Sequence, residues 1–130
     1  MDTIEQFWKL CDEALDAAKR GNWLHAADIE PACLQLLQLI QTHPDRRQDF
    51  ERAFCDLWSR QNVHAADIIS FCMHTLRWPI VREFMQAERQ AALAAKPHDS
   101  LFIHAESVLE SFSDDWEHTD LYPHYDRPAA

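Results

Sequence analysis

The chain has 130 residues, 47% of them hydrophobic, and a formal net charge of −10, which is the size and composition of one domain with a buried core. A single glycine, Gly21, excludes glycine-rich phosphate loops and dinucleotide folds and argues against a protein built of tight hairpin turns. The negative charge repels nucleic-acid phosphates and anionic lipid, and no stretch is apolar for long enough to cross a bilayer.

In chain order, the first expected helix spans Asp2 to Arg20, with Ile4, Phe7, Trp8, Cys11, Leu15 and Ala18 on one face at helical spacing. Asp2 or Thr3 can cap its start, Gly21 follows Lys19 and Arg20 as a C-terminal glycine, and Asn22 can cap the next segment. The second helix covers Trp23 to Thr42 with an apolar stripe of Ile29, Cys33, Leu36, Leu37 and Ile40. Pro31 predicts a kink there, or two pieces, Trp23–Ile29 and Pro31–Gln41. A third helix begins near Pro44 and buries Phe50, Phe54, Leu57 and Trp58, leaving Arg46, Arg47, Arg52 and Arg60 solvated, and Gln61-Asn62 turns the chain.

The fourth helix runs from Val63 to Trp78, where Pro79 stops it. It points Ile68, Ile69, Cys72 and Leu76 inward. The fifth spans Pro79 to Ala95 and buries Val81, Phe84 and Met85. Lys96-Pro97-His98 breaks the chain. Asp99 or Ser100 then caps a sixth helix carrying Leu101, Phe102, Ala105, Val108, Leu109, Phe112 and Trp116. Glu117 to Ala130 contains Pro123 and Pro128 and reads as an irregular tail, with Leu121, Tyr122 and Tyr125 available to dock on the helices.

A repeat organises these elements. His25-Ala26-Ala27-Asp28-Ile29 recurs 39 residues later as His64-Ala65-Ala66-Asp67-Ile68, and the register carries Cys33 onto Cys72 and Leu37 onto Leu76. A worn third copy, His104-Ala105-Glu106-Ser107-Val108, follows 40 residues on, with Phe112 and Trp116 in the cysteine and leucine places. This period is the mark of stacked helical hairpins of the HEAT and armadillo kind. The expected fold is therefore all-α: three stacked antiparallel hairpins, a HEAT-like α-solenoid or a compact helical bundle. The copied pentapeptide would begin the second helix of each pair. The domain spans 1–116, and an acidic tail, 117–130, packs on it or extends from it.

Charge is uneven. Residues 1–98 carry 14 acidic and 11 basic side chains, and residues 99–130 carry 8 and 1. The acidic third would attract a basic protein and speed the encounter; the bland alternative is a solubilising face. Asp114, Asp115, Trp116, Glu117, Asp120, Tyr122, Tyr125 and Asp126 mix carboxylates with aromatic rings, as a surface recognising Lys and Arg does. Calcium-loop spacing and its glycine are absent there. The repeated histidines sit about one helix layer apart, too far to share an ion. His74 follows Cys72 by two residues, off its helix face. Cys11, Cys33, Cys55 and Cys72 lack Cys-x-x-Cys spacing and read as small buried hydrophobes. We expect no metal, no cofactor and no enzyme activity. The acidic start Met1-Asp2-Thr3-Ile4-Glu5, unlike a signal peptide, predicts a cytoplasmic protein.

In Ile68 to Glu83, the run Phe71-Cys72-Met73-His74-Thr75-Leu76-Arg77-Trp78-Pro79 resembles segments of small helical bacterial immunity proteins encoded beside polymorphic or contact-dependent toxins. The resemblance covers about an eighth of the chain. It implies a cytoplasmic protein that binds one cognate toxin domain and blocks it, the toxin being often a nuclease with a basic groove. An adaptor or scaffold that binds cellular proteins through a helical-repeat surface is the alternative, and the sequence leaves the oligomeric state open.

Overall fold

The computed structural model describes residues 2–20, 25–60, 64–95 and 100–125. The expected caps at Gly21, Asn22 and Asp99, the turn at Gln61-Asn62, the break at Lys96-Pro97-His98 and the site residue Asp126 lie outside the described residues. Those described form six α-helices and no strand: α1 (Thr3–Arg20), α2 (His25–Gln41), α3 (Arg47–Ser59), α4 (Ala65–Leu76), α5 (Pro79–Ala95) and α6 (Ser100–Glu110).

Helix α1 starts directly after Asp2, whose carbonyl accepts the Gln6 N–H at 3.0 Å. Phe7, Cys11, Ala14, Leu15 and Ala18 line its buried face at spacings of three and four. Helix α2 runs as one helix through Pro31 and is not divided into the two pieces that were the alternative expectation. Pro31 is exposed, so its ring lies on the solvent side, where a carbonyl deprived of its amide partner can turn to water. A 3-10 turn, Pro44–Arg46, leads into α3. Three of the four arginines expected to be solvated have partners. Arg60 lies 3.9 Å above the Trp8 ring, Arg47 lies 5.1 Å from that of Trp78, and Arg46 donates to Asp49 at 2.7 Å. In Arg60 and Arg47 the guanidinium itself lies over an indole, a cation–π contact, and in Arg46 it is held by a carboxylate.

Helix α4 ends at Leu76, two residues before the expected stop. Arg77 takes left-handed backbone angles, φ 49° and ψ 43°, a conformation that disfavours every residue with a Cβ. That reversal turns Trp78 back into the core, 6.1 Å from Phe54.

One hydrophobic cluster joins all six helices. Helix α1 packs along α2, and α5 along α6, while α3 meets α4 over a smaller contact. Helix α2 also packs on α4 and α4 on α6, and α1 touches α3 and α3 touches α5. The whole is a helical bundle. At the duplicated position, Ile29, Ile68 and Val108 are all fully buried. The pentapeptide begins α2 and abuts the start of α4, but its third copy lies one turn inside α6. There Glu106 replaces alanine and turns to Arg89 of α5 at 2.8 Å.

Candidate partner-binding surface

The segment after α6 is built on α4. His74 Nδ1 donates to the Ser111 carbonyl at 2.8 Å, which places the ring proton on that nitrogen. Ser111 thereby fixes where the chain leaves α6. The His74 ring then meets Trp116 at 5.0 Å and Tyr125 at 4.8 Å, the latter edge-on. The Tyr125 hydroxyl donates to the Phe71 carbonyl and accepts from Thr75 Oγ1 at 2.7 Å. Tyr122 packs edge-on against Phe71 at 5.0 Å, and the His124 amide donates to Glu30 of α2 at 3.0 Å. The segment thus crosses from α6 over α4 to α2. Burial pushes the phenols of Tyr122 and Tyr125 well above the usual tyrosine range, so both stay protonated and able to donate.

This placement corrects the aromatic half of the expected surface. Trp116 and Tyr122 are each only 3% exposed and belong to the core cluster. Tyr125 is half-buried, with its hydroxyl engaged internally. None of the three stands out as a free anchor. Glu117–Leu121 is a 3-10 helix and not irregular chain, because burying rings at 116, 122 and 125 on one neighbour requires the intervening residues to coil back.

The acidic half is outward. Asp114, Asp115, Glu117 and Asp120 are exposed. Asp114 pairs with Arg77 at 2.7 Å, whereas no described cation pairs with Asp115, Glu117, Asp120 or Glu110. Glu110, Ser113, Asp115, Trp116 and Glu117 line a cleft of about 220 Å³. Glu110 was not among the expected site residues. Its signal was available: it falls seven residues after Ile103, on the side of α6 opposite the direction of Ala105 and Val108.

The remaining reactive side chains are placed as follows. Cys11, Cys33 and Cys72 are buried free thiols, and burial pushes all three well above the ordinary thiol range, which denies them nucleophilic character. Cys55 is half-buried and raised by the same cause. His64 stands 3.8 Å from Asp67, one turn along; His104 is half-buried on α6; the side chain of His25 lies outside the described residues. Among the described residues, no three His, Cys, Asp or Glu side chains converge as a metal site requires. No described helix is long and apolar enough to cross a membrane.

No family model, curated protein or solved structure matches this chain.

Proposed function

We propose that this is a protein-binding inhibitor of the immunity type, which works in the cytoplasm and neutralises a cognate basic toxin domain by covering its active site. In this reading the six helices are three HEAT-like hairpins side by side, α1–α2, α3–α4 and α5–α6. The observation that carries the proposal is the run of exposed carboxylates that no cation among the described residues neutralises: Glu110, Asp115, Glu117 and Asp120. Like charges held together on a folded surface repel one another. They are relieved when a cationic partner arrives, and their field speeds its approach. A toxin domain that grips a polyanionic substrate would present that cationic surface.

The test is co-expression in a bacterial host with the product of the neighbouring gene. The neighbour alone should arrest growth, and the pair should not. A harmless neighbour, or arrest that persists in the pair, sinks the immunity reading. With the purified pair, neutralising Asp114, Asp115 and Glu117 together should slow association by about tenfold at low salt and flatten its salt dependence. Unchanged association kinetics would remove this surface from the interaction.

A further inference from the structure

The uncovered side of α6 is a strip, and the strip runs into the acidic cleft. Ala105 and Val108 are fully buried in the common core. A second flank is closed by α5, whose Arg89 pairs with Glu106 at 2.8 Å and lies 5.2 Å from the Phe102 ring. What remains is Ile103, Ser107 and Glu110, at i, i+4 and i+7 on one line of the helix. Ile103 is 59% exposed, more than any other large apolar side chain among the described residues. A single exposed isoleucine on a soluble surface needs no explanation. This one shares its line with Glu110, which also walls the cleft completed by Ser113, Asp115, Trp116 and Glu117.

Seven residues of α-helix rise about 10.5 Å. The apolar contact and the anionic cleft are therefore one heptad apart, the separation between side chains at i and i+7 on any second helix laid alongside. Resting on the reading of the protein as a binder of a basic partner, we propose that the free strip of α6 and the adjoining cleft dock one amphipathic basic helix of that partner. An apolar side chain of that helix packs on Ile103. A Lys or Arg one heptad away enters the cleft, its methylene stem against Trp116 and its charge among Glu110, Asp115 and Glu117. Charge decides the occupant. Residues 100–125 hold six carboxylates and no Lys or Arg, so a symmetric contact with a second copy would oppose carboxylate to carboxylate.

The probe is a synthetic helix-forming peptide with leucine at one position and lysine seven positions on, titrated into the isotope-labelled full chain and followed by amide chemical shifts. A peptide with glutamate in place of the lysine is the control. The lysine peptide should shift amides between residues 103 and 117, weaken about tenfold between low and physiological salt, and lose roughly three- to tenfold in affinity with either Ile103→Ser or Glu110→Gln. The glutamate peptide should not bind. Shifts centred elsewhere, no binding, or affinities indifferent to both substitutions overturn the proposal. Self-association in sedimentation that Ile103→Ser abolishes would also overturn it, by assigning the strip to a second copy. The two readings fail separately. Toxin neutralisation that survives Ile103→Ser and Glu110→Gln removes this surface alone, whereas peptide binding at α6 without toxin neutralisation removes the immunity function alone.

Discussion

Around α3, three of the four arginines are matched. Arg46 reaches Asp49 and Asp2, Arg47 reaches Glu51 and the Trp78 ring, and Arg60 reaches Asp12 and the Trp8 ring. Beyond α6 the opposite holds: carboxylates crowd an exposed rim and, among the described residues, only Asp114 has a cation. Underneath, the two regions differ in a second way. The α1–α3 core is centred on apolar rings, Phe7, Phe50 and Phe54, with the Phe50 and Phe54 centroids 6.0 and 5.1 Å from that of Phe7. The C-terminal segment is held by the Trp116 ring together with His74 and Tyr125, two rings that also carry polar anchors. One end spends its charge on its own fold. The other fastens the backbone from inside and leaves its charge outward.

If the two regions form one cooperative unit, emptying either should destabilise the whole. Phe54→Ala should cost about 3–5 kcal/mol, the range for a fully buried phenylalanine, and Trp116→Ala a similar amount. Denaturant unfolding checks this. Both variants should shift the midpoint with an unchanged slope, and a Trp116→Ala that only steepens local amide exchange after residue 110 would split the molecule in two. Next in size is Trp116→Phe. The indole Nε1 is buried without an acceptor among the described residues, a defect worth about 1–3 kcal/mol. Removing that N–H should offset much of the lost volume, so this variant should lose far less than the alanine one. A loss equal to alanine's would mean that the N–H has a partner in solution.

Tyr125→Phe comes third. It removes a hydroxyl that donates to the Phe71 carbonyl and accepts from Thr75, for about 1 kcal/mol at neutral pH. The same substitution alters the alkaline limb. Burial raises the folded-state pKa of Tyr125 above its unfolded value. The unfolded chain therefore loses this proton first, and stability falls as pH climbs past about 10. Without the phenol, the decline between about pH 9 and 11 should be shallower. Tyr122 and the buried thiols Cys11, Cys33 and Cys72, all raised by burial, will still contribute to it. An unchanged slope would place the Tyr125 ring in water in the folded state, against its packing on Phe71 and His74.

Much of the helical framework was legible because it obeys periodicity. The Pro79–Ala95 helix matches the expected bounds, since proline marks one end and the apolar spacing carries the rest. The duplicated isoleucine positions are buried as the repeat register requires. Legibility stopped where tertiary contact overrode local preference. Pro31 looked like a break, and only its outward placement in α2 explains why the helix continues. The rings at 116, 122 and 125 read as anchors for a partner, with Tyr122 and Tyr125 also able to dock on the helices; the docked course is the one taken, and the polar, proline-rich surroundings hide which helix receives them. That helix, α4, supplies His74, Thr75 and the Phe71 carbonyl from some 40 to 55 residues away, at no spacing a local pattern can reveal. The carboxylates were legible as charge, and the outward side of Glu110 from its spacing on α6; its meeting with Asp115 and Glu117 in one cleft was not, since that depends on how the segment after α6 folds back.

The smallest effects sharpen the contrast most. Among the described residues Asp114 is the one acid of the rim with a cation, and its side chain is 89% exposed. An ion pair in that much water contributes at most a few tenths of a kcal/mol, so Asp114→Asn should leave stability within about 0.5 kcal/mol of the parent. Its partner Arg77 pays for a left-handed backbone, φ 49°, that glycine would adopt about 1 kcal/mol more easily. Arg77→Gly gives up the weak pair with Asp114 and the Nε donation to the His74 carbonyl at 3.1 Å. The net should be neutral to a gain of about 1 kcal/mol, because an exposed hydrogen bond is replaced by water at little cost. Unfolding midpoints of the two single variants and the double settle the matter. A coupling near zero leaves the acidic rim free of any duty to the fold. A coupling above about 1 kcal/mol would make the Arg77–Asp114 contact a structural clasp, and the contrast between a matched end and an unmatched one would shrink to Glu110, Asp115, Glu117 and Asp120.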